Sequence, residues 1–580
     1  MIRRNKAALA SAIAIALGSA SLTAEAQKQA TPDADWRSIH RDLTATRFSP
    51  LDQINTANVG NLELIWSYQL AGSSTAVPIV IDGVMYVPNG GQIVALDGDS
   101  GKEIWVTELA PGGADRGRGA GGRGGGGPRA SSRGVSYWPG DADHEPRIMF
   151  MTGAEMWALD AATGEPVSSF GRDGRIEVGV SYNGTPTIFN NIAIIGAASL
   201  ELPQGPVGNP RAFDVLTGEK LWEFWTVPRP GQPYNETWGD GWEGRGGTNM
   251  WGFAAAIDAD LGIAYLPIAG PAPNYYGGGR PGTNLFGNSI VAVDVESGEY
   301  RWHFQTVHHD LWDVDMAFAG GLFEIERDGE THPAIANVGK SSYMFILDRE
   351  TGEPIIPVEE RPVPAGNVPG EWYSPTQPFP VAPPPLSRVS FDPDTDIVTA
   401  EDTSEAHRQA CIDFMERSGG FYNAGPFTPF QYKPPGAEPK STIQFPGGTG
   451  GVNWGGPAVD PVNGIIYANS QETSLVGWVE DKDPDVTYSF EAAGSTQPFD
   501  RASILGVGPF FSFNAPLSGE FDENGRGIGP SLPCQRPPWG RLNAVDASTG
   551  EILWQVPLGL NENLPEGKQL VGNSGSAGPS

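Results

Sequence analysis

Ala292-Val-Asp-Val-Glu-Ser-Gly-Glu-Tyr-Arg-Trp302 is one copy of a unit that recurs along the chain. The same pattern, Ala-x-Asp-x-x-(Thr/Ser)-Gly, ends at Gly101, Gly164, Gly218, Gly298 and Gly550, with a degenerate copy from Leu347 to Gly352. In four copies a tryptophan follows the glycine by four residues: Trp105, Trp222, Trp302 and Trp554. One copy reads as a hairpin. An apolar strand meets a turn whose Asp bonds backbone amides and whose Gly takes positive φ, and the returning strand carries an aromatic residue. Upstream of most copies lies a second strand pair, such as Pro78 to Tyr86. Two hairpins make one four-stranded blade, so the chain reads as an all-β propeller. Six units are expected near 78–105, 147–170, 186–224, 255–304, 333–355 and 457–554.

Composition agrees. Of 580 residues, 78 are Gly and 52 Pro, and only 18% are charged, as many short strands and turns require. The net charge of −32 repels phosphate backbones, so nucleic acid is excluded as a partner. Arg3, Arg4 and Lys6 precede an apolar run from Ala8 to Leu17, and Ala24-Glu25-Ala26 supplies a cleavage site. Residues 1–26 therefore read as an export signal, implying a periplasmic protein with no transmembrane segment in its mature chain. Export permits a Cys411–Cys534 disulfide, the two cysteines present; two free thiols are the alternative. No Cys-x-x-Cys-His occurs, so electrons would leave to a separate carrier. Residues 116–129 are a Gly/Arg-rich insertion, and 357–446 are expected to form long loops over one face.

The stretch carrying chemistry follows the first-quoted repeat: Val307-His-His-Asp-Leu-Trp-Asp-Val-Asp-Met316. Two imidazoles and three carboxylates within eight residues are too polar for an ordinary strand turn. With His308-His-Asp-Leu-Trp-Asp313, the segments Asp35-Trp36 through Trp66, Ser132 to Trp138, Gly451-Val-Asn-Trp454 and Pro537-Pro-Trp-Gly540 resemble the pyrroloquinoline quinone (PQQ) dehydrogenases. The resemblance covers nearly the whole mature chain and is nearer the glucose dehydrogenase type than the methanol type. It implies eight blades around PQQ and a calcium ion, hence a quinoprotein that oxidises a sugar or alcohol and passes electrons to a quinone or cytochrome. It also implies that residues 27–580 are a propeller lacking a closing unit. A non-catalytic propeller that binds envelope proteins is the alternative.

Residue by residue, the resemblance puts the catalytic base on Asp313, its cationic partner on Lys340 and the stacking tryptophan on Trp251. It puts a PQQ-carboxylate arginine on Arg133 and a metal-binding glutamate on Glu201, with Asn183, Asn453 and Trp454 as further cofactor candidates. Asp313 also counts as a metal ligand. Asp315 is either a second metal carboxylate or a solvated turn residue. The residue types suit the chemistry. A carboxylate takes a hydroxyl proton, a lysine stabilises a developing oxyanion, and oxygen donors favour Ca²⁺. Each has a plainer reading: a turn cap for Asp313, blade packing for Trp251, a local ion pair for Arg133. His308 and His309 are expected to bond neighbouring loops. Two family positions differ. Gly270 stands where alcohol-type members have a calcium-binding asparagine, and Thr75 where a glutamate often faces the cofactor.

Overall fold

The computed structural model describes residues 34–71, 74–109, 129–198, 208–243, 248–483, 485, 497–507, 510–523, 525–575 and 578–579. The expected export signal, most of the Gly/Arg-rich insertion and Glu201 lie outside the described residues. Short antiparallel strands dominate. Blade 1 comprises β1 (Ile79–Ile81), β2 (Val84–Asn89), β3 (Gln92–Asp97) and β4 (Glu103–Glu108). Blade 2 has β5 (Ser136–Trp138), β6 (Arg147–Thr152), β7 (Glu155–Asp160) and β8 (Arg175–Glu177). Blade 3 has β9 (Thr187–Phe189), β10 (Ile192–Ile195), β11 (Arg211–Asp214) and β12 (Lys220–Glu223). Blade 4 has β13 (Ala256–Asp258), β14 (Ile263–Pro267), β15 (Ser289–Asp294) and β16 (Tyr300–Gln305). Blade 5 is three-stranded: β17 (Gly321–Arg327), β18 (Glu330–Val338) and β19 (Met344–Asp348).

The region after blade 5 is more ordered than the sequence suggested. A hairpin of β20 (Val358–Pro362) and β21 (Thr376–Pro380) and a helix, Glu405–Arg417, precede β22 (Phe421–Tyr422) and β23 (Ser441–Gln444). Blade 6 then opens with β24 (Pro457–Asp460) and β25 (Ile465–Gln471). A long excursion follows, with β26 (Leu475–Asp481), β27 (Phe499–Ser503), β28 (Gly506–Val507), β29 (Asn514–Pro516) and β30 (Ser531–Pro533). The chain returns to complete blade 6 with β31 (Gly540–Asp546) and β32 (Ile552–Pro557). The six expected units are present, but blades 2 and 5 each begin one strand earlier than predicted. Both missed strands, β5 and β17, sit next to polar loop sequence that broke the repeat pattern.

The turn chemistry is as the repeat implies. In each copy one Asp oxygen accepts from backbone amides and a hydroxyl of the same turn: Asp97 with Ser100, Asp160 with Thr163, Asp294 with Ser297 and Asp546 with Thr549. The turn glycines do two jobs. Gly298 has φ +71°, and its missing side chain makes room for the Trp222 indole of the previous blade. Trp222 Nε1 then donates to Val295 O at 3.0 Å. Trp105 docks on Gly164 and Ala161 O in the same way, Trp302 on Gly352 and Arg349 O, and Trp66 on Gly101 and Gly98 O. The tryptophans thus rivet blade to blade. Trp554 makes no such contact among the described residues and is 42% exposed.

First strands of neighbouring blades touch, β5 to β9, β13 to β17 and β17 to β24, so they line the propeller axis. The segment before blade 1 runs along them. Trp36 pairs with Val80, and the carbonyls of Leu43, Thr44 and Thr46 accept from Ile257, Leu322 and Val459. The excursions are tied down by a Cys411–Cys534 disulfide spanning 123 residues, which resolves the two cysteine readings.

Candidate active site at the mouth of the propeller

The functional candidates precede the first strand of a blade or follow its second strand. Both kinds of loop open on one face of the propeller, so residues far apart in sequence converge there. Asp313 and Asp315 lead into β17, and Lys340 follows β18. Lys340 Nζ lies 3.1 Å from Asp313 Oδ1 and 2.5 Å from Asp315 Oδ2. All three side chains are largely shielded from water. Burial alone would lower the lysine pKa, but the two carboxylates outweigh it and hold the ammonium more firmly than usual.

The backbone of this segment is forced into shape. Asp313 has φ +58°, a left-handed conformation that costs a non-glycine residue about 1–2 kcal/mol. Asp310 supplies the restraint. Its buried carboxylate accepts Trp312 N at 2.8 Å, Val314 N at 2.9 Å and Asn288 Nδ2 at 3.0 Å. Burial pushes the Asp310 carboxyl pKa up. From the far side Gln444 Nε2 donates to Trp312 O at 2.8 Å and to Pro446 O at 2.7 Å. Its Oε1 is buried without a partner and borders a small cavity behind the loop, lined also by Trp312, Val314, Ser341 and Phe427. Strain at a polar loop held by such partners is the usual mark of a working site.

Gly270 has a physical explanation here. Its backbone N–H donates to Asp315 Oδ1 at 2.9 Å, and a side chain at this position would collide with the Asp310 carboxylate. Thr75 Oγ1 donates to Ser132 O at 2.9 Å, so it ties the approach to blade 1 to the loop bearing Arg133. The histidines do bond neighbouring loops. His309 sits between Gly282 O at 2.8 Å and Glu371 Oε1 at 3.0 Å; His308 meets Gln305 and Glu360.

A second group assembles from blades 2, 3, 4 and 6. The Arg133 guanidinium lies over the Trp454 ring at 3.8 Å, and burial draws its pKa down to about 10. Gly252, next to Trp251, faces Arg133 and Asn183: a methyl there would sit 3.6 Å from Arg133 Nε and 3.7 Å from Asn183 Cβ. Trp251 is partly buried against the core of blades 2–4. Asn453 turns inward on its own loop, donating to Thr449 O at 2.7 Å and accepting from Trp454 N. That loop joins the two groups, because Gly451 N donates to Lys340 O at 2.9 Å and Gly450 packs on the Lys340 side chain. Arg133 and Trp454 are thus in contact, Asn183 and Arg133 both border Gly252, and the loop at 450–451 joins this group to Lys340. Asp310 and Gln444 are further site residues that sequence reasoning had not singled out. Asp310 stood inside the quoted motif, whereas Gln444 ends β23 and its reach to Trp312 leaves no pattern in the sequence.

Over residues 36–579 the chain matches the family model described as PQQ, glucose/ethanol/alcohol dehydrogenase, beta-propeller domain. It is 30% identical to the glycerol dehydrogenase large subunit of Gluconobacter oxydans (strain 621H), covering 92% of this chain and 72% of that one. It is 29% identical to the quinoprotein glucose dehydrogenase of the same strain, over 93% of this chain and 68% of that one. The crystal structure of quinohemoprotein alcohol dehydrogenase from Comamonas testosteroni superposes with a TM-score of 0.57 at 24% identity, over 93% of this chain and 77% of that one, a likeness of fold. The chain belongs to the PQQ-dependent glucose/ethanol/alcohol dehydrogenases, a family of oxidoreductases built on the β-propeller.

Proposed function

We propose that this quinoprotein dehydrogenase oxidises a hydroxyl group of a sugar or polyol, with Asp313 as the base that takes the hydroxyl proton. The observation carrying the proposal is the Asp313–Lys340–Asp315 triad at 3.1 and 2.5 Å, presented at the mouth of the propeller by a strained loop. Lys340 holds the Asp313 carboxylate in place at 3.1 Å and brings a positive charge to where oxyanion character develops. The residues suit the cofactor. Arg133 offers a guanidinium to a carboxylate, and Trp251 and Trp454 offer flat aromatic surface beside it. Bound PQQ supplies the hydride acceptor. Asp313 and Asp315 provide hard oxygen donors of the kind Ca²⁺ takes, with Glu201 a further candidate, and would hold the ion beside the base.

Electrons pass onward to a separate quinone or cytochrome, since the sequence has no Cys-x-x-Cys-His. The export signal puts the reaction in the periplasm, and no helix among the described residues is long and apolar enough to cross a membrane. The test is a PQQ titration followed by tryptophan fluorescence, with and without Ca²⁺. Saturable, calcium-dependent quenching that is lost in Trp251→Ala supports the site. A folded protein whose fluorescence ignores PQQ counts against it.

A further inference from the structure

The hairpin of β20 and β21 is a two-stranded sheet inserted between blades 5 and 6, outside every blade. It touches the site motif at two successive residues. Gln377, fully buried in β21, pairs with the His308 backbone as another peptide would: its Oε1 accepts His308 N and its Nε2 donates to His308 O, both at 2.7 Å. In the connection between the two strands, Glu371 reaches His309, whose Nε2 lies 3.0 Å from Glu371 Oε1. Both side chains are 1% exposed or less. The same carboxylate accepts Trp372 N at 2.9 Å and Gly277 N. It therefore also holds the loop between β14 and β15, from which Gly270 N donates to Asp315.

The hydrogens on His309 define the contact. Its Nδ1 lies 2.8 Å from Gly282 O, a carbonyl that can only accept, so Nδ1 carries a hydrogen. A neutral ring would then turn a bare lone pair at Nε2 toward a carboxylate oxygen, and two acceptors do not rest 3.0 Å apart in a closed interior. One further proton lies between them. With it the pair is neutral as a whole, which suits a position where burial opposes a charged imidazole and Glu371 favours one. The pair is packed shut: the Trp372 ring meets the imidazole edge-on at 4.9 Å, and a methyl at Gly277 would lie 2.6 Å from Nε2. His309 has φ +48° and Asp313 φ +58°, so two left-handed residues bracket the stretch that presents the base. Such a conformation persists only where its surroundings enforce it. Between them Asp310 O accepts Arg280 Nη2 at 2.6 Å, a second tether on the same stretch.

We propose that Glu371 is a positioning residue for the oxidation: it shares a proton with His309 and so holds the loop that presents Asp313, without touching the substrate itself. This rests on Asp313 being the base of a dehydrogenase. Without the carboxylate, His309 is free to leave its left-handed conformation, and Asp313, four residues on, loses its fixed place. Misplacing a reacting group by about 1 Å costs up to about a hundredfold in rate. The Arg133 and Trp454 contact is made by other loops, so cofactor binding is expected to persist.

The test uses the PQQ- and Ca²⁺-loaded enzyme, an artificial electron acceptor, and a sugar or polyol that the wild type oxidises, with rates counted per PQQ-bound site. Glu371→Gln keeps the size of the side chain but puts an amide where the N–H groups of His309, Trp372 and Gly277 converge. It should lower kcat by about tenfold or more, with KM and PQQ affinity within about twofold of wild type. His309→Gln should give the same split, and the double variant should lose no more than the worse single one, because the two residues act as a unit. In proton NMR the wild type should show a far-downfield, exchange-protected resonance that both single variants lack. Unchanged kcat in Glu371→Gln, a loss carried by KM or PQQ affinity instead, losses that multiply in the double variant, or a wild type without that resonance overturns the role of Glu371 and leaves Asp313 as the base. A PQQ-loaded wild type that oxidises no sugar, polyol or alcohol overturns the dehydrogenase reading and this inference with it.

Discussion

Replacing Lys340 with methionine should turn the triad from a stabilising feature into a destabilising one. The Asp313 and Asp315 oxygens that Lys340 now bridges lie within 3.1 + 2.5 = 5.6 Å of each other. Without the ammonium their repulsion is about 3 kcal/mol at an effective dielectric constant of about 20. Breaking a buried charge set by removing one partner typically costs about 3–5 kcal/mol, which includes this term. The loss should depend on pH. In the variant the folded carboxylates have pKa values raised above their unfolded values of about 4, so the fold tolerates them below that pH and loses stability as pH rises. In the wild type Lys340 is raised above its ordinary value, so its contribution is complete throughout the range below pH 10. Urea denaturation of the cofactor-free protein at pH 5 and pH 8 measures this. Lys340→Met should lose about 3 kcal/mol at pH 8 and clearly less at pH 5, and adding Asp315→Asn should restore much of it. A variant within about 0.5 kcal/mol of wild type at both pH values would refute the reasoning.

Three other outcomes are expected. Exchanging Cys411 and Cys534 together for alanine opens a loop of 123 residues and should cost about 2–5 kcal/mol in urea, while PQQ quenching is retained. His303 is half-buried among Tyr234, Phe286 and Tyr300, and desolvation draws its pKa down to about 4. The unfolded chain therefore takes up that proton first, and melting temperature should fall as pH drops from 7 to 5, less steeply in His303→Gln. Gln444→Glu removes both N–H bonds to Trp312 O and Pro446 O and should lower kcat tenfold or more with little change in PQQ affinity, read by steady-state kinetics.

The scaffold was legible because its signals are local. Asp-x-x-(Thr/Ser)-Gly turns need only their own backbone, and the tryptophan four residues later reports its docking on the next blade. Strands β5 and β17 were missed because each follows a polar site loop and lacks the repeat. The helix at Glu405–Arg417 was hidden in proline-rich surroundings, although Ser404 caps its N-terminus by accepting from His407 N. For the site, the polar cluster at 308–315 pointed to Asp313 and Asp315, and Lys340 entered through the family resemblance. What stayed hidden depends on chain crossings. Gln444 reaches Trp312 over 132 positions, a contact that no local pattern announces.

The most direct test of the central claim is single-turnover oxidation by PQQ-loaded wild type and Asp313→Asn, each given a polyol and followed by the cofactor's own absorbance. The account predicts that both proteins bind PQQ with similar affinity and that the wild type reduces it when substrate is added. Asp313→Asn should do so at least a hundredfold more slowly, the scale of removing a positioned general base. Equal rates in the two proteins would contradict the account, because the proton would then have another acceptor and the triad would be only a structural ion pair.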